Sequence, residues 1–313
     1  MSVRSGPRMR GFMFAMALAG SARCAAVADE SLTFVGPAMG TTYRVVLATP
    51  IEGHASGEVH REIEALLARI DRAASTWRDD SDASRFNRAA TAEWLDVADD
   101  LVDVIEIARR VHEASQGAFD VTAATRVDGS DAAPAISRTG LACIETRSSA
   151  AGQPAAIRKT RAGVTIDLGG IGPGYAVDRI GDRLAALGSA AHLVELGGEV
   201  RGWGRAIGGG AWRVRVRAAE GNAAARVIDL ADGAAMAAST LRPGRSPIDP
   251  RTGRPVAGVA GTVFAKADSC AWADAWAVAA VVLGLPADAD GFVTASPAPS
   301  MPAARPAARR ASP

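Results

Sequence analysis

Sulfur, imidazole and lysine are all scarce in this 313-residue chain. Three cysteines (Cys24, Cys143, Cys270) and four histidines are too few for a zinc framework or a disulfide scaffold. Only Lys159 and Lys266 are lysines among 35 basic residues, which leaves 33 arginines, a compositional bias without functional content. Neither sign of charge predominates: 35 Lys+Arg face 34 Asp+Glu, a formal +1. That balance argues against a nucleic-acid binder, which gathers a basic excess on one face. There is no internal repeat, and no run beyond the first 28 residues reaches the roughly 20 apolar residues that a bilayer crossing needs. What remains is an ordinary globular composition, 48% hydrophobic and 22% charged, long enough for one large domain or two ordinary ones.

Arg4, Arg8 and Arg10 precede a short apolar run at 11–20, and Ala26-Val27-Ala28 follows. A basic start, a short apolar centre and a small-residue site fit a secretory signal peptide over 1–28. Two other readings stand beside it: a buried N-terminal helix, and a lipoprotein acylated at Cys24, which Arg23 disfavours. Export to the periplasm is the expectation, with a domain over 29–294. The Ala/Pro/Arg/Ser composition of 295–313 predicts a disordered tail. Cys143 and Cys270 are the cysteines left for pairing after cleavage.

Between these ends the pattern is mixed α and β. Apolar residues at Val59, Ile63, Leu66, Leu67 and Ile70 predict a helix over 58–73, and Leu101, Val104, Ile105, Ala108 and Val111 another over 98–114, capped by Asp96 or Asp99. Further helices are expected over 175–187 and 271–283. Short strands are expected at 33–35, 43–47, 164–168, 192–196, 212–217, 227–230 and 261–265, with 290–293 as a closing strand and 126–153 irregular.

Two places carry chemistry. DLGGIGPGYAVD at 167–178 joins a strand to a helix through glycines, where backbone N–H groups can approach an anion. The segment lacks both dinucleotide glycine spacing and a Walker lysine, so phosphate binding and a purely structural turn both remain open. Asp274 is the single acid in an apolar helix. It lies on the solvent face, or near a helix N-cap, or holds a hard cation such as Mg²⁺.

Eight segments in series carry a family resemblance: AMGTTY (38–43), STWRDDS (75–81), RFN (85–87), GAFDVT (117–122), DLGGIGPGYAVD (167–178), VELGGEV (194–200), IDPRTGRP (248–255) and ADA (273–275). In this order and spacing, from about 34 to 284, the chain resembles the ApbE-type FAD:protein FMN transferases. The resemblance implies an α+β fold of mixed sheets packed with helices, with FAD in a cleft. It also implies an Mg²⁺-dependent transfer of FMN from FAD onto a Thr or Ser hydroxyl of a flavoprotein subunit of a periplasmic or membrane redox complex, with AMP released. Membrane proximity would come only through that acceptor. Carried over by position, the resemblance places Met39, Trp77, Ala118, Phe119, Asp120, Gly170, Ala176 and Ile248 at FAD, and Asp274 at the metal. Trp77 suits stacking on the flavin, or else is a core residue.

Four departures bear on chemistry. Pro173 stands where the family has Lys or Glu, so only its backbone C=O remains to serve the metal. Val278 replaces a threonine whose hydroxyl helps hold the metal. Pro247 lies where a histidine assists the acceptor, and none of the four histidines falls in a matching motif. The stretch at 239–242 is shortened. These changes leave three readings: a transferase with a rebuilt site, a non-catalytic FAD-binding protein, and an Mg²⁺-dependent FAD pyrophosphatase.

Overall fold

The computed structural model describes residues 31–90, 92–123, 126–127, 140–216, 226–241, 245–256, 261–286 and 292–294. The expected leader and tail lie outside them. In chain order the first half contains β1 (Leu32–Ala38), β2 (Thr41–Leu47), α1 (Ser56–Ala74), α2 (Asp82–Arg88), β3 (Leu95–Asp96), α3 (Asp99–Ala114), β4 (Arg126–Val127), β5 (Ile144–Arg147) and β6 (Ala156–Lys159). The second half contains α4 (Gly172–Ala186), β7 (His192–Leu196), β8 (Glu199–Trp203), β9 (Trp212–Val216), β10 (Arg226–Leu230), β11 (Ala235–Leu241), β12 (Arg245–Ser246), β13 (Ile248–Asp249), β14 (Arg254–Pro255), β15 (Gly261–Ala267), α5 (Cys270–Leu283) and β16 (Phe292–Thr294).

A seven-stranded sheet in the order β1-β2-β7-β8-β11-β15-β16 organises the molecule. Its pairs are antiparallel except β15–β16. The β1–β2 hairpin turns on two residues only, Met39 and Gly40, both at positive φ. That is the geometry whose twist matches two right-handed strands, so both strands run closer to the turn than the sequence suggests.

Side-chain alternation then assigns the faces. Tyr43, Val45 and Leu47 of β2 join the main core with Leu66 and Ile70 of α1, Leu101 and Ile105 of α3, Ile180 of α4 and Trp272 of α5. Each fully buried Leu or Ile contributes about 1.5–3 kcal/mol relative to exposure. On the other face Leu193, Val200 and Met236 pack with Trp212, Val214, Ile228 and Leu230 of the β9–β10 hairpin. The central sheet is therefore covered on both sides, and the fold is α+β with several sheets, as expected.

Some local expectations are corrected. Residues 164–168 are not a strand: the Ile166 N–H and C=O bond to the Asn87 carboxamide, and the Val164 C=O accepts from Lys159 Nζ. Helix α4 begins at Gly172, three residues early, because Pro173 suits a first helical turn. Helix α3 has Ala98 rather than Asp96 or Asp99 at its cap, and the Ala98 N–H is met by Asp82 Oδ2 at 2.8 Å. Within the stretch read as irregular, β5 pairs with β6. Cys143 and Cys270 are both free thiols.

Candidate functional site

The Gly-rich turn is built by local hydrogen bonds. Asp167 Oδ1 accepts from the Gly169 N–H at 2.9 Å, and the Leu168 C=O accepts from Ile171 and Gly172 at 3.2 and 2.8 Å. Opposite it, Thr122 donates to Asp120 Oδ1 through both its N–H (2.8 Å) and its hydroxyl (2.6 Å), which fixes the 118–122 segment. The Asp167 N–H donates to the Val121 C=O at 2.8 Å and joins the two walls. The β13–β14 hairpin forms a third wall. There the Arg251 guanidinium and backbone N–H bond to Asp249 at 2.9 Å and hold its carboxyl below the usual range.

These walls enclose a cavity of about 110 Å³. Five of the expected FAD residues line it together: Ala118, Phe119, Asp120, Gly170 and Ile248. So do two of the departures, Pro247 and Val278. Val278 leans on the turn closely enough that a Cβ on Gly170 would stand 2.9 Å from its Cγ2.

The remaining expected residues fall elsewhere. Met39, at the β1–β2 turn, places its Cε against Gly172 at the start of α4. Trp77 is 93% exposed, which overturns the core alternative and leaves the ring without protein cover. Ala176 is fully buried in the main core and offers no accessible surface. Pro173 sits in the first turn of α4, half-buried.

Asp274 is buried, which overturns the solvent-face reading, and Ser269 rather than Asp274 is the cap of α5. Its Oδ2 accepts from the Gly174 N–H at 3.1 Å, one of the donors that the start of α4 leaves free. The helices can meet there only because residue 174 is glycine: a Cβ would stand 2.7 Å from the Cys270 carbonyl carbon. Below this contact Asp178 closes the N-terminus of α5, accepting from Ser269 Oγ, the Cys270 N–H and the Ala271 N–H at 2.8, 2.9 and 3.0 Å.

Sequence reasoning missed Glu199. It stands at the start of β8, nine-tenths buried. Burial and the Asp274 carboxylate push Glu199 well above its ordinary value, and burial pushes Asp274 up to about 7. Among the described residues neither carboxylate has an ion-pair partner. The signal was present as Glu199 inside the VELGGEV segment, but nothing local placed it near α5. His112 was also missed: its Nδ1 lies 2.8 Å from the Phe119 carbonyl oxygen and 3.5 Å from Asp120 Oδ2, behind the cleft.

A hard divalent cation is held by one or two carboxylates completed by carbonyl, water and phosphate oxygens. Two buried carboxylates without an ion-pair partner among the described residues, of which Asp274 meets the start of α4, fit that requirement. Among the described residues no group of three or more His, Cys, Asp or Glu side chains is set to hold a metal. A larger open groove of about 470 Å³ between α1 and α4 contains none of the expected residues, and the Arg183–Glu62 ion pair (3.1 Å) lies along it.

Comparison with known proteins shows the family. The family model described as "ApbE family" matches residues 39–298. The FAD:protein FMN transferase of Vibrio cholerae is 29% identical over 88% of this chain and 88% of its own length. That of Klebsiella pneumoniae is 27% identical over 83% and 81%. The solved flavin transferase ApbE of Vibrio cholerae superposes with a TM-score of 0.69 at 28% identity, over 81% of this chain and 87% of that one. The apo flavinyl transferase ApbE of Pseudomonas stutzeri gives 0.68 at 30% identity, over 82% and 85%. A match across most of the length, with five motif residues in one cleft, means that the chain belongs to the ApbE family.

Proposed function

We propose that the protein is an exported, Mg²⁺-dependent FAD:protein FMN transferase. It moves FMN from FAD onto a Thr or Ser hydroxyl of a periplasmic or membrane redox partner. The observation that carries this reading is the convergence of Ala118, Phe119, Asp120, Gly170 and Ile248 on one cleft beside the buried Asp274. The curated relatives, named for this activity, support it.

In the balanced reaction the acceptor oxygen forms a bond to the FMN phosphorus, the pyrophosphate P–O bond breaks, AMP leaves, and the hydroxyl proton passes to solvent or base. The cation, when bound, neutralises pyrophosphate charge. Asp274, together with Glu199, would hold it. Of the N–H groups in the Gly-rich turn, that of Gly170 is the one that the hydrogen bonds named above leave free to meet an anionic phosphate. The 118–120 and 248 walls exclude water, and Trp77 offers an open ring face to the flavin.

A second reading is favoured by Val278 and Pro247, which line the cleft without a side-chain oxygen or nitrogen to offer metal or acceptor. In that reading the protein binds FAD without transfer. AMP release with FAD and Mg²⁺, with and without an acceptor domain, separates the readings. Acceptor-dependent AMP and a covalently flavinylated acceptor establish transfer, while AMP without acceptor identifies a pyrophosphatase. FAD binding with no AMP in either tube overturns the enzyme reading.

A further inference from the structure

Residues 164–168 lead into the Gly-rich turn and pair with no strand among the described residues, yet the backbone of Val164 and Ile166 finds side-chain partners. The Ile166 N–H donates to Asn87 Oδ1 at 2.7 Å, and Asn87 Nδ2 donates to the Ile166 C=O at 2.9 Å. One carboxamide thus serves both backbone groups, as a neighbouring strand would. Lys159 Nζ donates to the Val164 C=O at 2.6 Å and to the Asn87 C=O at 3.3 Å, and lies 4.6 Å from the Phe86 ring centroid. Lys159 is 2% exposed, so its ammonium exchanges water for these carbonyls.

The element that carries Asn87 has a second connection. Ser81, the cap of α2, accepts from the Ser84 N–H at 3.0 Å, and its one hydroxyl hydrogen is shared between the carbonyls of Ser75 and Arg78. It thereby closes the loop that presents Trp77. Helix α2 therefore holds the exposed tryptophan at one end and the backbone that feeds Gly169 and Gly170 at the other.

We propose that Asn87 and Lys159 are positioning residues: they clamp 164–168 to α2 and so fix the Gly-rich turn relative to the Trp77 loop. The Gly-rich turn and the Trp77 loop are held in register by side chains rather than by a sheet ladder. Only the ligand arm of the test rests on the flavin reading. The clamp itself is read from the backbone.

The experiment compares the parent with N87A, N87D and K159M, by amide exchange of the 164–170 segment and by FAD titration. N87A is expected to speed exchange at Ile166 and Asp167 at least tenfold, on the order expected for losing a buried hydrogen-bonded pair, while α5 stays within about twofold. N87D keeps the acceptor for the Ile166 N–H and loses the donor, so it falls between parent and N87A. K159M keeps the stem over Phe86 and moves in the same direction as N87A. FAD affinity falls in step, and combining N87A with W77A gives a non-additive loss, which a merely structural residue would not produce. Unchanged exchange at 166–167 in N87A and K159M overturns the clamp, as does faster exchange with parent-like FAD affinity. If the parent itself binds no FAD, the flavin reading falls and the exchange arm alone decides the clamp.

Discussion

Asp178 and Arg201 meet at 2.7 Å directly below the first turn of α5, where the same carboxylate also takes the Cys270 and Ala271 N–H groups. The carboxylate offsets a guanidinium and a helix N-terminus at once. Removing it leaves both uncompensated in a buried setting. Asp178→Ala is expected to lose about 3–5 kcal/mol in denaturant unfolding. Adding Arg201→Met to it should recover part of that loss, since the orphaned charge goes too.

Gly174 tests the helix crossing that places Asp274. A Cβ there meets the backbone of Cys270 and Ala271, which has no flexible end to move aside. Gly174→Ala is expected to cost about 2–3 kcal/mol or more and to lower the melting temperature. Gly210→Ala, with nothing within 4 Å of its added Cβ, stays within about 0.5 kcal/mol of the parent.

His192 sets an acid limit on stability. It is fully buried, stacked on Trp203 at 4.8 Å between centroids, and burial lowers its pKa to about 4. The unfolded chain takes up a proton below about 6.5, whereas the folded one waits until about 4. Stability is therefore lost as pH falls through that window, by at most about 3 kcal/mol. Melting curves between pH 7 and 4.5 should show this slope, and H192Q should flatten it.

The cation reading predicts opposite effects for two neighbours on α5. Mg²⁺ should raise the melting temperature of the parent, and Asp274→Asn should abolish that rise. Val278→Thr puts an oxygen into the cleft wall at nearly constant volume, so it should enlarge the rise and tighten Mg²⁺ in calorimetry. A V278T protein with parent-like Mg²⁺ affinity would count against α5 as the metal-facing helix.

Trp77 separates ligand binding from folding. Because the ring is almost wholly exposed, W77A should leave unfolding within about 0.5 kcal/mol of the parent. Loss of an aromatic stack worth about 0.5–1.5 kcal/mol should weaken FAD roughly 2- to 12-fold in fluorescence titration.

Much of this was legible in the sequence where periodicity and motif coincide. The apolar stripe of α1 and the uninterrupted run of α5 mark their helices, and the GAFDVT and IDPRTGRP segments mark two walls of the cleft. Residues 164–168 misled because an apolar, β-branched run looks the same whether its partner is a strand or the side chain of Asn87, 79 positions away. Glu199 feels a charge 75 positions away, that of Asp274, which a single-residue signal does not carry, and His112 meets Phe119 only because the turn after α3 brings it back seven residues later. Trp77 allowed two readings, a ring for flavin stacking or a core residue, and the loop between α1 and α2 turns it outward and removes the second.

The near-absence of lysine gives the buried amine of Lys159 a practical use. Acylating reagents meet just two lysine side chains in the whole chain, and one of these is sealed between Val164 and Asn87. A label on Lys159 therefore records a moment when that seal was broken. The protein carries its own chemical clock for local opening beside the cleft, readable by mass spectrometry without adding any probe residue.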